Sequence, residues 1–354
     1  MNHGIIFALL AAVLFGLSTP FAKLLAGDLP PVLLAGLLYA GSGIGLSAWR
    51  MLRRHAVSAG TGSEAPLSKL DLPWLAGAIL AGGIIGPVLM MTGLVRSTAA
   101  SASLLLNMEG VFTALLAWFV FREQFDRRIF IGMVLIVVAC VLLSWPRDGM
   151  LQAATSPWGA ACIVGACLCW AIDNNLTRKV SASDAVQIAA IKGLVAGTVN
   201  LGIALLWMNA AMPAWHRIAF AGVLGFAGYG LSLVLFVLAL RHLGTARTGA
   251  YFSAAPFVGA ALSLFLPGES PDVIFWLAAG LMASGIWLHV TESHIHPHTH
   301  EEMAHDHAHV HDAHHQHEHD FPWDGREPHS HPHRHRHLTH THAHFPDIHH
   351  RHSH

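Results

Sequence analysis

The sequence predicts an all-α membrane protein: ten transmembrane helices arranged as two inverted five-helix repeats, followed by a disordered histidine-rich tail. Three observations carry this. Hydrophobic residues are 53% of the chain and charged residues only 12%, and apolar stretches of about 20 residues, long enough to cross a bilayer core, recur between short charge clusters. Those stretches divide evenly about a Pro- and Gly-containing loop near residues 146–156. Beyond residue 290 the composition changes, and all of the 29 histidines but His3, His55, His216, His242 and His289 fall in 291–354.

The predicted spans are 4–24, 30–49, 73–95, 99–121, 129–145, 157–177, 185–207, 217–240, 245–266 and 272–290. Backbone polar groups in lipid must be satisfied within the chain, so these are helices. The N-terminal stretch lacks a basic n-region and a small-residue cleavage site, so it reads as an uncleaved first span rather than a secretory signal. With a cytoplasmic N-terminus, the inner side holds Arg50, Arg53, Arg54, Lys69, Arg122, Arg127, Arg128, Arg178, Lys179, Arg241 and Arg247. The outer side then holds only Lys23, Arg96, Arg147 and Arg217. That bias fixes the direction. An even number of spans returns the C-terminus to the cytoplasm, so both termini face inward. The expected location is an inner (plasma) membrane.

Five spans per half is an odd number, so tandem halves enter the bilayer from opposite sides. Such inverted repeats can expose one midplane site to either side in turn. The halves, 1–146 and 157–290, share weak similarity. Phe15-Gly-Leu-Ser-Thr-Pro-Phe-Ala-Lys23 sits where Trp170-Ala-Ile-Asp-Asn-Asn-Leu-Thr-Arg178 sits. Gly110-Val-Phe-Thr-Ala-Leu-Leu, followed by Arg122-Glu123, corresponds to Pro256-Phe-Val-Gly-Ala-Ala-Leu, followed by Gly268-Glu269.

Phe15 to Phe21 with Lys23, Leu33-Leu-Ala-Gly-Leu-Leu-Tyr39 with Gly41, and the run from Thr98 through Asn107, Glu109 and Trp118 to Phe121-Arg-Glu123 resemble the EamA-type branch of the drug/metabolite transporter superfamily. The resemblance covers residues 4–290 and implies the ten-helix fold. It also implies export of an amino acid, metabolite or drug, without choosing among them. The tail lies outside it.

An ionisable group in mid-span costs about 2.5–3.5 kcal/mol on insertion scales, so each needs a reason. Three stand out: Glu109, Asp173 and Lys192. Glu109 lies near the middle of span four, one turn from Leu105 and Thr113. There a carboxylate could trade protons with a substrate, or be held by a donor as a packing device. Asn107 is roughly 200° around the helix, so it shares a cavity with Glu109 only if the helix is irregular. Gly110, and Pro256 in the second half, would allow a break. Asp173 forms a stripe with Cys169, Trp170 and Thr177, flanked by Asn174 and Asn175. It reads either as a cavity wall or as a helix end near the headgroups. Lys192, among Ile188, Ala189, Val195 and Ala196, would pair with Asp173, meet a substrate carboxylate, or snorkel. Tyr229 and Tyr251 are candidate cavity residues.

Gly82, Gly83, Gly86, Gly222, Gly225, Gly228 and Gly230 let spans three and eight approach neighbours closely, and Pro87 and Pro256 are candidate kinks. Cys162 and Cys169 are seven apart on one face of span six. A soft-metal site there is the minority reading, because buried cysteine is ordinarily a small apolar residue. No disulfide framework is expected.

The tail has too few apolar residues to bury a core and is expected to be disordered when free. Its His-x-His runs are His294, His296, His298 and His300, then His305, His307, His309 and His311, then His329, His331, His333, His335 and His337. Neutral imidazoles in such runs bind zinc, nickel, cobalt or copper. Metal buffering at the cytoplasmic mouth, a pH-responsive polycation and idle low complexity all remain open.

A non-ATP exporter of a small organic solute fits these features best, since no G-x-x-x-x-G-K-[ST] motif appears. The runner-up is a divalent-metal transporter or tolerance protein, and a membrane-anchored metal sink comes last. Against a transporter of metal, the spans hold no clustered ligands; against the sink, ten spans with an inverted repeat are excessive for an anchor. No nucleophile–base constellation suggests an enzyme, and no resident cofactor is required. A net charge of −1 gives nucleic acid no purchase. The expected partners are the bilayer, a small solute, divalent metal on the tail, and conceivably a second copy of the chain.

Overall fold

The computed structural model describes residues 3–27, 29–56, 67–121, 127–144, 156–265 and 271–291, and four short tail segments. The body is entirely helical among these residues. α1 is His3–Ala26 and α2 is Pro31–Ala56. α3 (Leu72–Ala78) widens into a π-helical stretch, Ile79–Ile85, and continues as α4 (Gly86–Val95). α5 (Ala99–Leu105) and α6 (Met108–Phe121) follow, then α7 (Arg127–Ser144). α8 is Pro157–Val180, and α9 is Ala185–Gly202 with a π-helical end, Ile203–Trp207. α10 (Trp215–Leu224) passes through a third π-helical stretch, Gly225–Leu231, into α11 (Ser232–Phe252). α12 (Ala255–Ser263) and α13 (Val273–Val290) complete the body.

Among the described residues, seven helical stretches are long and apolar enough to cross a membrane, and Phe130–Leu143 and Val273–Leu288 are shorter apolar helices. Four described helix starts are capped by side chains, whereas Asp71 before α3 makes no cap bond. Thr98, Ser156, Asp184 and Asp272 accept from backbone N–H groups of α5, α8, α9 and α13, satisfying donors that a helix start leaves unpaired. The expected boundary between residues 240 and 245 is absent, because α11 runs through it. Gly244 alone does not stop a helix when no cap or proline accompanies it.

α2 packs along α9, α1 along α11 and α12, α4 along α8, and α7 along α13. Glycines set the closest approaches. A Cβ at Gly193 would lie 2.5 Å from the Gly43 nitrogen, and one at Gly197 2.5 Å from the Ala40 nitrogen, so the α2–α9 backbones nearly touch. The glycines of spans three and eight act likewise. Gly83 faces Ala196, Gly86 faces Trp170, Gly228 faces Ser18 and Gly230 faces Ser42. Gly222 differs, since a Cβ there meets open space.

Exposed tryptophans cluster at helix ends. Trp49, Trp74 and Trp287 lie towards one end of the bundle, and Trp158, Trp207 and Trp215 towards the other. Amphipathic indoles favour the two membrane–water interfaces.

Four segments of the tail, where disorder was expected, are paired strands: β1 (Ile295–His300), β2 (Ala304–His309), β3 (His329–Arg334) and β4 (Leu338–Ala343). β1 pairs with β4 and β2 with β3, both antiparallel. A residue-by-residue alternation suits the two-residue period of a strand. The register sets His296 opposite His342, His298 opposite His340, His305 opposite His333, His307 opposite His331, and His309 opposite His329. His294, His311, His335 and His337 lie outside the described residues, as do Arg122, Glu123, Gly268 and Glu269.

Candidate functional site

Two helix breaks shape the centre of the protein. Span four is interrupted at Leu106–Asn107, between α5 and α6, and its counterpart at Ser253–Ala254, between α11 and α12. Both are tight turns rather than unwound segments. Leu106, Asn107, Glu109 and Gly110 donate their N–H groups to Ser103, Leu104, Leu106 and Asn107 carbonyls at 3.0–3.2 Å. In the second half Ser253 donates to Gly249, and Phe257 and Val258 both donate to Ala254. These are the irregularities that Gly110 and Pro256 were expected to permit.

A narrow crevice lies between the breaks, lined by Phe15, Glu109, Thr113, Phe252, Ser253 and Pro256, among others. Glu109 is half-buried, and its Oε1 accepts a hydrogen bond from Asn174 Nδ2 at 2.6 Å. Among the described residues no basic side chain pairs with it. Thr113, one helical turn on, is 3% exposed and its hydroxyl has no partner. The Ser253 hydroxyl donates to Gly249 O at 2.9 Å. Phe15 joins this crevice to an aromatic cluster. Its ring meets Phe252 at 5.5 Å, Tyr229 at 5.6 Å and Trp170 at 5.7 Å, and Tyr229 meets Tyr39 at 5.5 Å.

A second buried polar group lies alongside. Lys192 Nζ reaches Asp173 Oδ1 at 2.5 Å and Thr177 Oγ1 at 3.0 Å, and Thr177 also donates to Asp173 at 2.8 Å. Of the readings open for Lys192, the pair with Asp173 is the one present. Asp173 and Lys192 are buried against packed helix rather than facing the crevice, and Gly82 leaves the space that the Asp173 carboxylate occupies. A π-helical turn leaves backbone carbonyls without their usual partners, and side chains fill the gap. Tyr39 Oη and Trp170 Nε1 donate to Gly82 O at 2.9 and 3.0 Å, and Asn200 Nδ2 donates to Gly83 O at 3.1 Å.

The remaining candidates scatter. Asn107 is buried away from the crevice, donating to Leu104 O and Met282 Sδ; the break does not bring it onto the Glu109 face. Tyr251 packs with Ile5 and Phe7 near Ala8 and Leu243. Tyr229 belongs to the aromatic cluster. Cys167, rather than Cys162 or Cys169, meets the span-four break, with Sγ 3.7 and 3.8 Å from the Leu105 and Leu106 carbonyls. Sequence reasoning passed over Phe15 and the hydroxyls of Thr113 and Ser253 as site residues. Thr113 was visible as the i+4 neighbour of Glu109; Phe15 had no signal beyond its place in a motif.

Two polar clusters sit at opposite ends of α1. Near its start, Arg50 pairs with Asp184 at 3.2 Å and bonds Gln187 at 3.0 Å, while Arg241 donates to Ser181 O and Ser183 O. Near its end, Lys23 Nζ donates to Leu94 O at 2.6 Å. The basic residues at these ends therefore meet carbonyls and acids at helix termini, where their charge is best tolerated.

The chain matches the EamA-like transporter family twice, over residues 2–145 and 157–291. It is 29% identical over 293 residues to an uncharacterized transporter of Methanothermobacter thermautotrophicus, covering 80% of this chain and 85% of that one. It is 23% identical over 280 residues to the uncharacterized inner membrane transporter YedA of Escherichia coli, covering 76% and 84%. A solved crystal structure superposes with a TM-score of 0.62 at 16% identity, over 81% of this chain and 95% of its own, which speaks to the fold alone. Seven apolar helical stretches long enough to cross a membrane, among the described residues, accord with those matches: the protein is a multi-pass membrane transporter, and it belongs to the EamA-like transporter family.

Proposed function

We propose that the protein is a secondary transporter that exports a small organic solute by alternating access. In this reading ten helices form two inverted five-helix repeats, and both termini are cytoplasmic. The observation that carries it is the hydrogen bond between Glu109 on α6 and Asn174 on α8. It joins the two halves at the edge of the crevice, where Glu109 is a lining residue, and a carboxylate there can exchange a proton or release its amide partner to a solute. Paired helix breaks beside a midplane crevice are how inverted-repeat transporters form their sites. Asp173, Lys192 and Trp170 act from behind the crevice in this scheme, fixing α8 against α9 and the π turn. Tyr229 extends the aromatic wall, and Asn107 and Tyr251 act only through packing.

The tail is proposed as an appended metal-binding module at the cytoplasmic mouth, taking zinc, nickel, cobalt or copper through its imidazoles. Metal as the cargo has less support, because no group of three or more His, Cys, Asp or Glu gathers among the described residues.

The test is transport in proteoliposomes under an imposed pH gradient. Wild type should respond to the gradient and Glu109→Gln should not. An unchanged response in the variant removes Glu109 from coupling.

A further inference from the structure

Resting on the transporter reading, we infer that the crevice binds a primary ammonium group carried on an apolar, aromatic body. The charge balance points this way. Glu109 is the only ionisable residue in the lining. The nearby Lys192 does not offset it, being engaged by Asp173 and Thr177.

The hydrogen-bonding inventory agrees. An ammonium has three donors and no acceptor. The crevice presents the Glu109 carboxylate, the Thr113 hydroxyl oxygen with no partner, and the lone pairs of Ser253 Oγ, whose proton is already on Gly249 O. These are three acceptors for three N–H groups. Donors for an anion are scarce, the Thr113 hydroxyl being the one lining hydroxyl without a partner. At the two breaks the N–H groups of Glu109, Gly110, Phe257 and Val258 are bonded to backbone carbonyls, and Pro256 has none. A carboxylate in this crevice would therefore find a single hydroxyl donor and lie in the same cavity as the Glu109 carboxylate, which in a site shielded from water is costly. The remaining wall is apolar. Phe15 and Phe252 flank the acceptors with ring centroids 5.5 Å apart, and aromatic faces attract cations.

The test uses three matched solutes on the purified full-length protein in nanodiscs: phenethylamine, phenylalanine and 3-phenylpropionate. Binding is measured by titration calorimetry, and counterflow of each labelled solute is followed in proteoliposomes. Phenethylamine should bind at least about ten-fold more tightly than phenylalanine, and 3-phenylpropionate should not bind. Thr113→Val should weaken phenethylamine several-fold, and Glu109→Gln should abolish its binding while thermal unfolding shows both variants folded. The inference is overturned if wild type does not bind phenethylamine, if either carboxylate-bearing solute binds as tightly, or if Glu109→Gln and Thr113→Val both leave the affinity unchanged. Binding of phenethylamine without counterflow of any solute would overturn the transport reading and uphold the inference. Counterflow of 3-phenylpropionate alone would do the reverse.

Discussion

Replacing Lys192 by Met should destabilise the protein by an amount that the surroundings of Asp173 set. The methionine stem fills the lysine's space, so packing changes little. What is lost is the cation 2.5 Å from Asp173 Oδ1, leaving the carboxylate with the Thr177 hydroxyl as its described side-chain donor. Breaking a buried ion pair from one side costs about 3–5 kcal/mol. The expected loss is therefore about 3–5 kcal/mol. At roughly 2–4 °C per kcal/mol, the apparent Tm in detergent should fall by about 6–20 °C, read from tryptophan fluorescence. Asp173→Asn combined with Lys192→Met should recover most of the loss. A single variant as stable as wild type, or a double variant no better than the single, would refute the reasoning.

Gly82→Ala should impair folding or cost several kcal/mol, because its Cβ collides with the Asp173 carboxylate, whereas Gly222→Ala, with open space around it, should change the Tm little; detergent-stability profiles of the pair compare them directly. Asp184→Ala removes both the cap on α9 and the partner of Arg50. The cap accounts for about 1 kcal/mol and the half-exposed ion pair for less, so chemical denaturation should show a loss near the cap value alone. Truncation after residue 291 should leave Tm and solute transport unchanged while removing most zinc or nickel uptake by the purified protein, read by equilibrium dialysis.

The apolar helices were legible because bilayer thickness forces a length and lipid forces a helix, but not every boundary was, since α11 runs through the one expected between residues 240 and 245. Among the buried charges, the Asp173–Lys192 pair was legible as one of several options, since neither group survives alone in mid-span. The Glu109–Asn107 relation was legible only conditionally: their spacing is incompatible with one face of a regular helix, and the break at Leu106–Asn107 does not bring them together, so Glu109 is partnered by Asn174. The π-helical stretches were not legible. Gly82, Gly83, Gly225, Gly228 and Gly230 announce close approach, but the widened turn at Ile79–Ile85 draws on Tyr39, Trp170 and Asn200 arriving from other helices. Strand pairing in the tail was hidden for a similar reason, since a histidine comb has the strand period but no apolar face to announce it.

The donors gathered on the π turn have a mechanical consequence. Tyr39 of α2, Trp170 of α8 and Asn200 of α9 are anchored on two successive carbonyls, and Lys192 clamps α9 to α8. These helices and α3–α4 form one body. On the other side Ser232 ties α11 to α1 through Ala11 O at 2.8 Å. Described side-chain hydrogen bonds cross the boundary at three depths: Lys23 to α4 near one end of α1, Asn174 to Glu109 and Cys167 to the span-four break at the middle, and Arg241 to Ser181 and Ser183 near the other end. Lys23 and Arg241 thus fasten the two rims of a seam whose middle fastening is also a crevice residue, so under the transport mechanism proposed above a ligand that takes Glu109 from Asn174 would loosen the seam from within before either rim opens.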